Sequence, residues 1–197
     1  IAGFSVGLLE KKQIIKNKVK KDDVIIGIKS SGLHSNGYSL VRRIIKDKKL
    51  SFNRYFDFDK NKTIGSYLLE PTLIYVDIIL ELYKNKLIKS CAHITGGGVI
   101  ENLPRVLDEK FKAQINLDNW ELSNLYKWLL SCGIKQSELL KTFNAGYGMV
   151  LVADEKNLNK INKIIKKYKF SSSLLGSILL KKNISDKSVA LIGKLNK

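Results

Sequence analysis

Short apolar runs and stretches of helical periodicity take turns along the chain. Residues 1–10, 24–28, 90–95, 112–117, 149–153, 174–180 and 188–195 predict strands, being β-branched or alternating and closed off by small, polar or charged residues. Between them apolar residues recur at three- and four-residue spacing. Leu40, Val41, Ile44 and Ile45 predict a helix over 38–45, with Arg42 and Arg43 on its outer side. Glu70-Pro71-Thr72 predicts the start of the next, since proline suits a first helical position. Leu73, Ile74, Val76, Ile78, Ile79 and Leu82 give that helix a wide apolar face, which predicts that it is largely buried. A short helix over 100–107 is tolerable only with Pro104 inside its first turn. Others follow over 122–132, stopped by Gly133, over 137–143, and over 154–169, where Leu158, Ile161, Ile164, Ile165 and Tyr168 share one face. Ile14 and Ile15 anchor a charged turn, and residues 46–66 read as a surface excursion pinned by Tyr55, Phe56 and Phe58.

The elements alternate without a strict βαβ repeat, and the last two strands are neighbours in sequence. This predicts an α+β fold: a mixed, largely antiparallel sheet covered by helices, in one domain over residues 1–197 with no internal repeat.

Composition adds constraints rather than chemistry. A chain of 197 residues can bury a real core. No apolar run approaches the roughly 18 residues of a membrane span, and the start lacks the order of a signal peptide, so no membrane partner is expected. The chain begins Ile-Ala-Gly-Phe without an initiator Met, as a fragment does. Its net charge of +17 invites a nucleic-acid reading. Yet 31 Lys stand against 4 Arg, spread over the whole length, whereas base-edge readers lean on arginine. With 23 Ile and 15 Asn, the lysine excess reads as the bias of an AT-rich genome laid over solvated faces, and no nucleic-acid partner is expected. Cys91 and Cys132 lie far apart, fit no metal spacing, and suggest a reducing, cytoplasmic compartment in which both thiols act as small core hydrophobes.

Candidate chemistry gathers at two glycine loops. Ser30-Ser31-Gly32-Leu33-His34-Ser35-Asn36-Gly37-Tyr38-Ser39 joins a strand to a helix, and such a junction leaves backbone N–H groups unpaired and aimed one way, as an anion site requires. Ser35 or Asn36 is placed to cap the helix, and Gly32 and Gly37 permit close approach or positive φ. The same pattern also suits an ordinary, well-capped strand-to-helix turn. Thr95-Gly96-Gly97-Gly98 repeats the arrangement, and the chain's two histidines, His34 and His93, lie in or beside these loops. If the loops meet, two imidazoles and two helix starts converge where a phosphorylated ligand would sit, and a histidine there can donate to it or move a proton. Neither loop is a nucleotide signature, and no carboxylate cluster suited to magnesium is evident.

Five motifs then stand in order: the 30–42 stretch, Leu69-Glu70-Pro71-Thr72, Ala92-His93-Ile94-Thr95-Gly96-Gly97-Gly98, Glu101-Asn102-Leu103-Pro104-Arg105-Val106-Leu107 and Thr142-Phe143-Asn144-Ala145-Gly146-Tyr147-Gly148-Met149. Together they resemble the C-terminal part of the phosphoribosylformylglycinamidine cyclo-ligase, or aminoimidazole ribotide synthetase, family over nearly the whole chain. The resemblance implies a homodimeric enzyme of purine biosynthesis that uses ATP and Mg²⁺ to close the imidazole ring of formylglycinamidine ribonucleotide. In that family ATP activates the formamide oxygen as a phosphoryl imidate, and the neighbouring nitrogen attacks and expels phosphate. It also implies that the ATP-binding N-terminal domain is absent from this chain, which alone would be inactive.

Carried over by position, His34 and His93 would be the catalytic pair nearest the reacting amidine. Ser31, Gly32, Ser35, Asn36, Gly37, Thr95, Gly96, Gly97 and Gly98 would bind substrate and its ribose phosphate, with Asn144 and Gly146 lining the same cleft; no metal ligand is implied. Leu73 and Asp77 depart from the pattern, standing where the family usually has Arg and Lys. Replacing His34 by Ala in a full-length version is expected to cut turnover about a hundredfold. The alternatives are a relative such as formylglycinamidine synthase, selenophosphate synthetase or thiamine monophosphate kinase, a non-catalytic phosphate-binding module, or a basic nucleic-acid binder.

Overall fold

The β-branched run after Asp23 has no polar face, and the computed structural model, which describes residues 4–11, 14 and 18–195, shows why. β1 (Val24–Lys29) lies inside a six-stranded sheet covered on both sides. Val24, Ile26 and Ile28 enter one apolar cluster and Ile25 the other. Such two-sided burial reads in sequence as an unbroken apolar run.

The chain continues through α1 (Tyr38–Asp47), a hairpin of β2 (Tyr55–Phe56) and β3 (Asp59–Thr63), α2 (Ile64–Leu68) and α3 (Val76–Lys84). Then come β4 (Ser90–His93), α4 (Gly98–Asn102) with a tight 3₁₀ turn at Leu103–Val106, β5 (Phe111–Asn116), α5 (Asn124–Ser131) and α6 (Gln136–Thr142). β6 (Tyr147–Ala153), α7 (Leu158–Lys167), β7 (Ser172–Leu180) and β8 (Val189–Ile192) complete it. The sheet order is β4-β6-β1-β7-β5-β8, antiparallel throughout except for the β5–β8 pair. Ile78 and Leu82 of α3 and Ile161 and Ile165 of α7 pack on one face. Val41, Ile44 and Ile45 of α1, with residues of α4, α5 and α6, fill the other. The expected α+β fold and its mixed, mainly antiparallel sheet are therefore present.

Several local expectations need correcting. Residues 4–10 of the first predicted strand form no strand and are exposed, with Phe4, Val6 and Leu8 in the open; residues 1–3 and Ile15 lie outside the described residues. The helix expected from Pro71 begins only at Val76, because residues 71–75 run over the first glycine loop instead. It is also half-covered rather than buried: Ile74, Val76 and Leu80 face outward. Gly37, left-handed at φ 81°, caps α1 without side-chain help from Ser35 or Asn36. The last two strands are separated by β5. The stretch 46–66 is a surface hairpin and short helix, and Phe56 does pin it, buried against Phe58, Tyr67 and Trp128. Leu73 packs on the α3–α7 side, and Asp77 sits exposed in the first turn of α3, where a negative charge suits the helix dipole.

Candidate functional site

The first loop leaves β1 and feeds α1; the second leaves β4 and feeds α4. They meet. A Cβ built on Gly96 would lie 3.3 Å from Asn36 Oδ1. Asn36, Gly37, Gly96 and Gly97 line one concavity of about 370 Å³, with Glu101, Glu138, Lys141 and Thr142 on its other walls. The first-turn amides of α1 have no intrahelical acceptors and follow directly on Gly37, one of the residues that line it. The glycines also answer to packing: a Cβ on Gly37 would strike the Phe143 ring, and one on Gly98 would fall 2.0 Å from the Leu140 carbonyl. Glu101 folds over Gly97, placing a carboxylate at the start of α4 where an anion is favoured.

Two asparagines hold the loops from behind. Asn102 is buried, and its Nδ2 donates to the carbonyls of Gly98 at 2.8 Å and Gly96 at 3.1 Å, while its Oδ1 accepts from the Thr95 hydroxyl. Asn144 does the same for the first loop: Nδ2 donates to Gly32 O at 2.9 Å, and Oδ1 accepts from the Tyr126 hydroxyl and the Gly146 N–H. Asn144 and Gly146 are thus buried behind the loop, with the asparagine amide fully used there, rather than lining the concavity. Ser31 and Ser35 turn toward the crossing segment: Ser31 Oγ donates to Pro71 O at 2.7 Å and Ser35 Oγ lies 3.4 Å from Thr72 Oγ1.

The histidines flank one tyrosine. The Tyr75 ring lies 6.1 Å from that of His34 and 6.3 Å from that of His93. His34 is 5% exposed, in the left-handed region at φ 57°, and its Nε2 accepts from the Ser31 N–H at 3.3 Å. Burial, and after it the charge of His93, lower the His34 pKa to about 4, so the ring is neutral near pH 7. An accepting Nε2 assigns its single proton to Nδ1, which is buried with no partner. His93, at the end of β4, is exposed to solvent. The sequence reading missed Tyr75, Tyr126 and Asn102. Only Asn102 carried a signal, an uncharged polar residue one turn from Val99 and next to Leu103.

This combination of sheet, twin glycine loops and paired histidines belongs to a known class. The chain is a member of the family described as AIR synthase related protein, C-terminal domain, which it matches over residues 20–185. Its curated relatives include the phosphoribosylformylglycinamidine cyclo-ligase of Clostridium botulinum, 46% identical over 83% of this chain and 47% of that protein. That of Ligilactobacillus salivarius is 38% identical over 96% of this chain and 56% of its own length. The bifunctional purine biosynthetic protein purD of Dictyostelium discoideum is 38% identical over 98% of this chain and 24% of its own length. The chain therefore spans about half the length of the cyclo-ligases it matches. Among solved structures, a thiamine-monophosphate kinase from Stenotrophomonas maltophilia shares the fold at TM-score 0.64 and 12% identity, over 95% of this chain and 56% of that one. T. maritima PurL complexed with FGAR does so at 0.52 and 13%, over 86% and 26%.

Proposed function

We propose that this chain supplies the substrate side of a phosphoribosylformylglycinamidine cyclo-ligase, the ligase that closes the imidazole ring of formylglycinamidine ribonucleotide in purine biosynthesis. The observation that carries the reading is the meeting of Asn36 and Gly96 at one concavity in a chain of this family. In the complete homodimeric, cytoplasmic enzyme ATP with Mg²⁺ supplies the phosphoryl group that makes the formamide oxygen a leaving group. Both are assigned mainly to the part of the longer enzyme that this chain does not span.

The residues present bind and orient. The first-turn amides of α1 and the Lys141 ammonium offer a seat to the ribose phosphate. An arriving phosphate must displace the Glu101 carboxylate, since two anions cannot share the α4 turn. His93, the solvent-accessible imidazole, takes the proton lost by the attacking nitrogen. His34 is held neutral beneath it and keeps the first loop in shape through Ser31.

The test is the longer protein carrying this chain, assayed for aminoimidazole ribonucleotide from formylglycinamidine ribonucleotide and ATP. Product is expected, and His93→Ala should lower kcat about a hundredfold with KM little changed. Absence of product, or a preference of the chain for an oligonucleotide over the ribonucleotide across a salt series, ends the reading.

A further inference from the structure

We propose that Tyr75 is the positioning residue of this site: its ring is the spacer against which His34 and His93 both rest, and its hydroxyl fastens the spacer to the end of β1. The inference rests on the reading of the two histidines given above.

Tyr75 stands where the crossing segment 71–75 becomes α3, and its carbonyl accepts the first helical hydrogen bond, from the Ile79 N–H at 3.0 Å. That segment touches the first loop at two places and the end of β1 at a third. Pro71 accepts from Ser31, Thr72 meets Ser35, and the Tyr75 hydroxyl donates to Lys29 O at 2.9 Å. Tyr75 is 6% exposed, and its ring tilts against that of Phe170 at 5.4 Å. Its seat is cut in the backbone of β6. A Cβ on Gly148 would come 2.1 Å from the Tyr75 hydroxyl oxygen and 2.7 Å from His34 Cε1, so glycine there admits tyrosine and histidine together. Gly148 O also accepts from the Ile94 N–H at 2.8 Å, which ties the same point to the strand end that carries His93. One side chain therefore meets all three strand ends, β1, β4 and β6, from which the site is assembled. Tyr75 touches no reacting atom in this scheme. It acts by holding both imidazoles in place, and misplacement by about 1 Å can cost a hundredfold in rate.

Two measurements test this, one of them independent of the assigned reaction. In the 197-residue chain, the imidazole signals of His34 and His93 are followed by NMR against pH. Among the described residues that face His34, the His93 charge helps to lower its pKa, and the Tyr75 phenol stays protonated because burial raises its own. The wild-type His34 midpoint is expected near 4. Tyr75→Ala admits water and should raise it toward the ordinary 6.5, whereas Tyr75→Phe keeps the spacer and should leave it low. In the longer protein, Tyr75→Ala should lower kcat about a hundredfold with KM little changed, and Tyr75→Phe only about two- to tenfold, the worth of one hydrogen bond. If Tyr75→Ala does not fold, Tyr75→Ser, small enough to admit water and a favoured residue at this helix start, replaces it with the same expectation. An unmoved His34 midpoint in the Ala or Ser variant overturns the proposal whether or not the longer protein makes the expected product. So does a Phe variant as impaired as the Ala variant.

Discussion

Asn144 Nδ2 donates to the carbonyl of Gly32 at 2.9 Å across 112 residues of sequence, and this one amide fixes the back of the first glycine loop. Its oxygen is spent on Tyr126 and Gly146, so Asn144→Ala strands several buried polar groups at once. The expected cost is about 3 kcal/mol, or a fall in Tm of about 6–12 °C by circular dichroism. A melt unchanged from wild type would show the loop to be held by something else.

The glycines of the site divide by what surrounds them. Gly98 has φ 57° and backbone oxygen at 2.0 Å from the position of a Cβ, so Gly98→Ala should destabilise by about 3 kcal/mol. A Cβ on Gly32 meets no atom within 4 Å, and Gly32→Ala should change stability by no more than about 0.5 kcal/mol. Chemical denaturation of the two variants side by side reads the difference.

Acid should weaken the fold through His34. Its folded pKa, about 4, lies below the ordinary 6.5 because of burial first and His93 second. The unfolded ring thus takes up a proton that the folded one refuses. Stability is complete above about pH 6.5 and is lost as pH falls through the window to 4, by on the order of 2–3 kcal/mol. His34→Asn, a residue tolerant of φ 57°, should flatten that slope in urea melts. Equal slopes for both proteins would contradict the burial of a neutral ring.

At the other end of β4 a buried carboxylate accepts from the Lys20 N–H at 2.6 Å and draws its positive charge from Lys89. The Asp23 carboxylate is 3% exposed and pairs with Lys89, which also donates to Asp154 at 2.9 Å. Lys89→Ala should cost about 3–5 kcal/mol, since it leaves Asp23 buried without its cation. Asp154, 40% exposed, is the contrast: Asp154→Asn should cost less than about 1 kcal/mol. Urea denaturation of both variants checks the ratio.

The strands and helices that bury a whole face were legible in sequence. The unbroken apolar runs of β1 and β6 read as strands, α1 and α7 announced themselves by period, and Gly133, at φ 94°, closes α5 as expected. What escaped were features decided by partners distant in the chain. Pro71 carries a local helix-start signal, but the contacts of residues 71–75 with Ser31, Ser35 and Lys29 draw the backbone over the loop and delay the helix to Val76. Asn102 and Asn144 have the composition of turn residues, and nothing nearby in sequence reveals that each satisfies glycine carbonyls inside the protein. The polar string Asp59–Thr63 has no strand pattern at all and is extended only because it pairs with β2. For the site, sequence brought the two loops and two histidines to attention, and their convergence needed the sheet order, in which β6 stands between β1 and β4.

That order also sets a timetable for synthesis. β1 lies near the front of the chain, yet its two neighbours are β6 and β7, more than a hundred residues later. A strand made early must wait for partners made late, which slows folding and leaves sticky surface exposed on the ribosome. The first glycine loop, pinned by Asn144, can take its final shape only after the 112 residues from Gly32 to Asn144 have emerged. Chaperone demand during translation should therefore peak before β6 appears and fall once it docks.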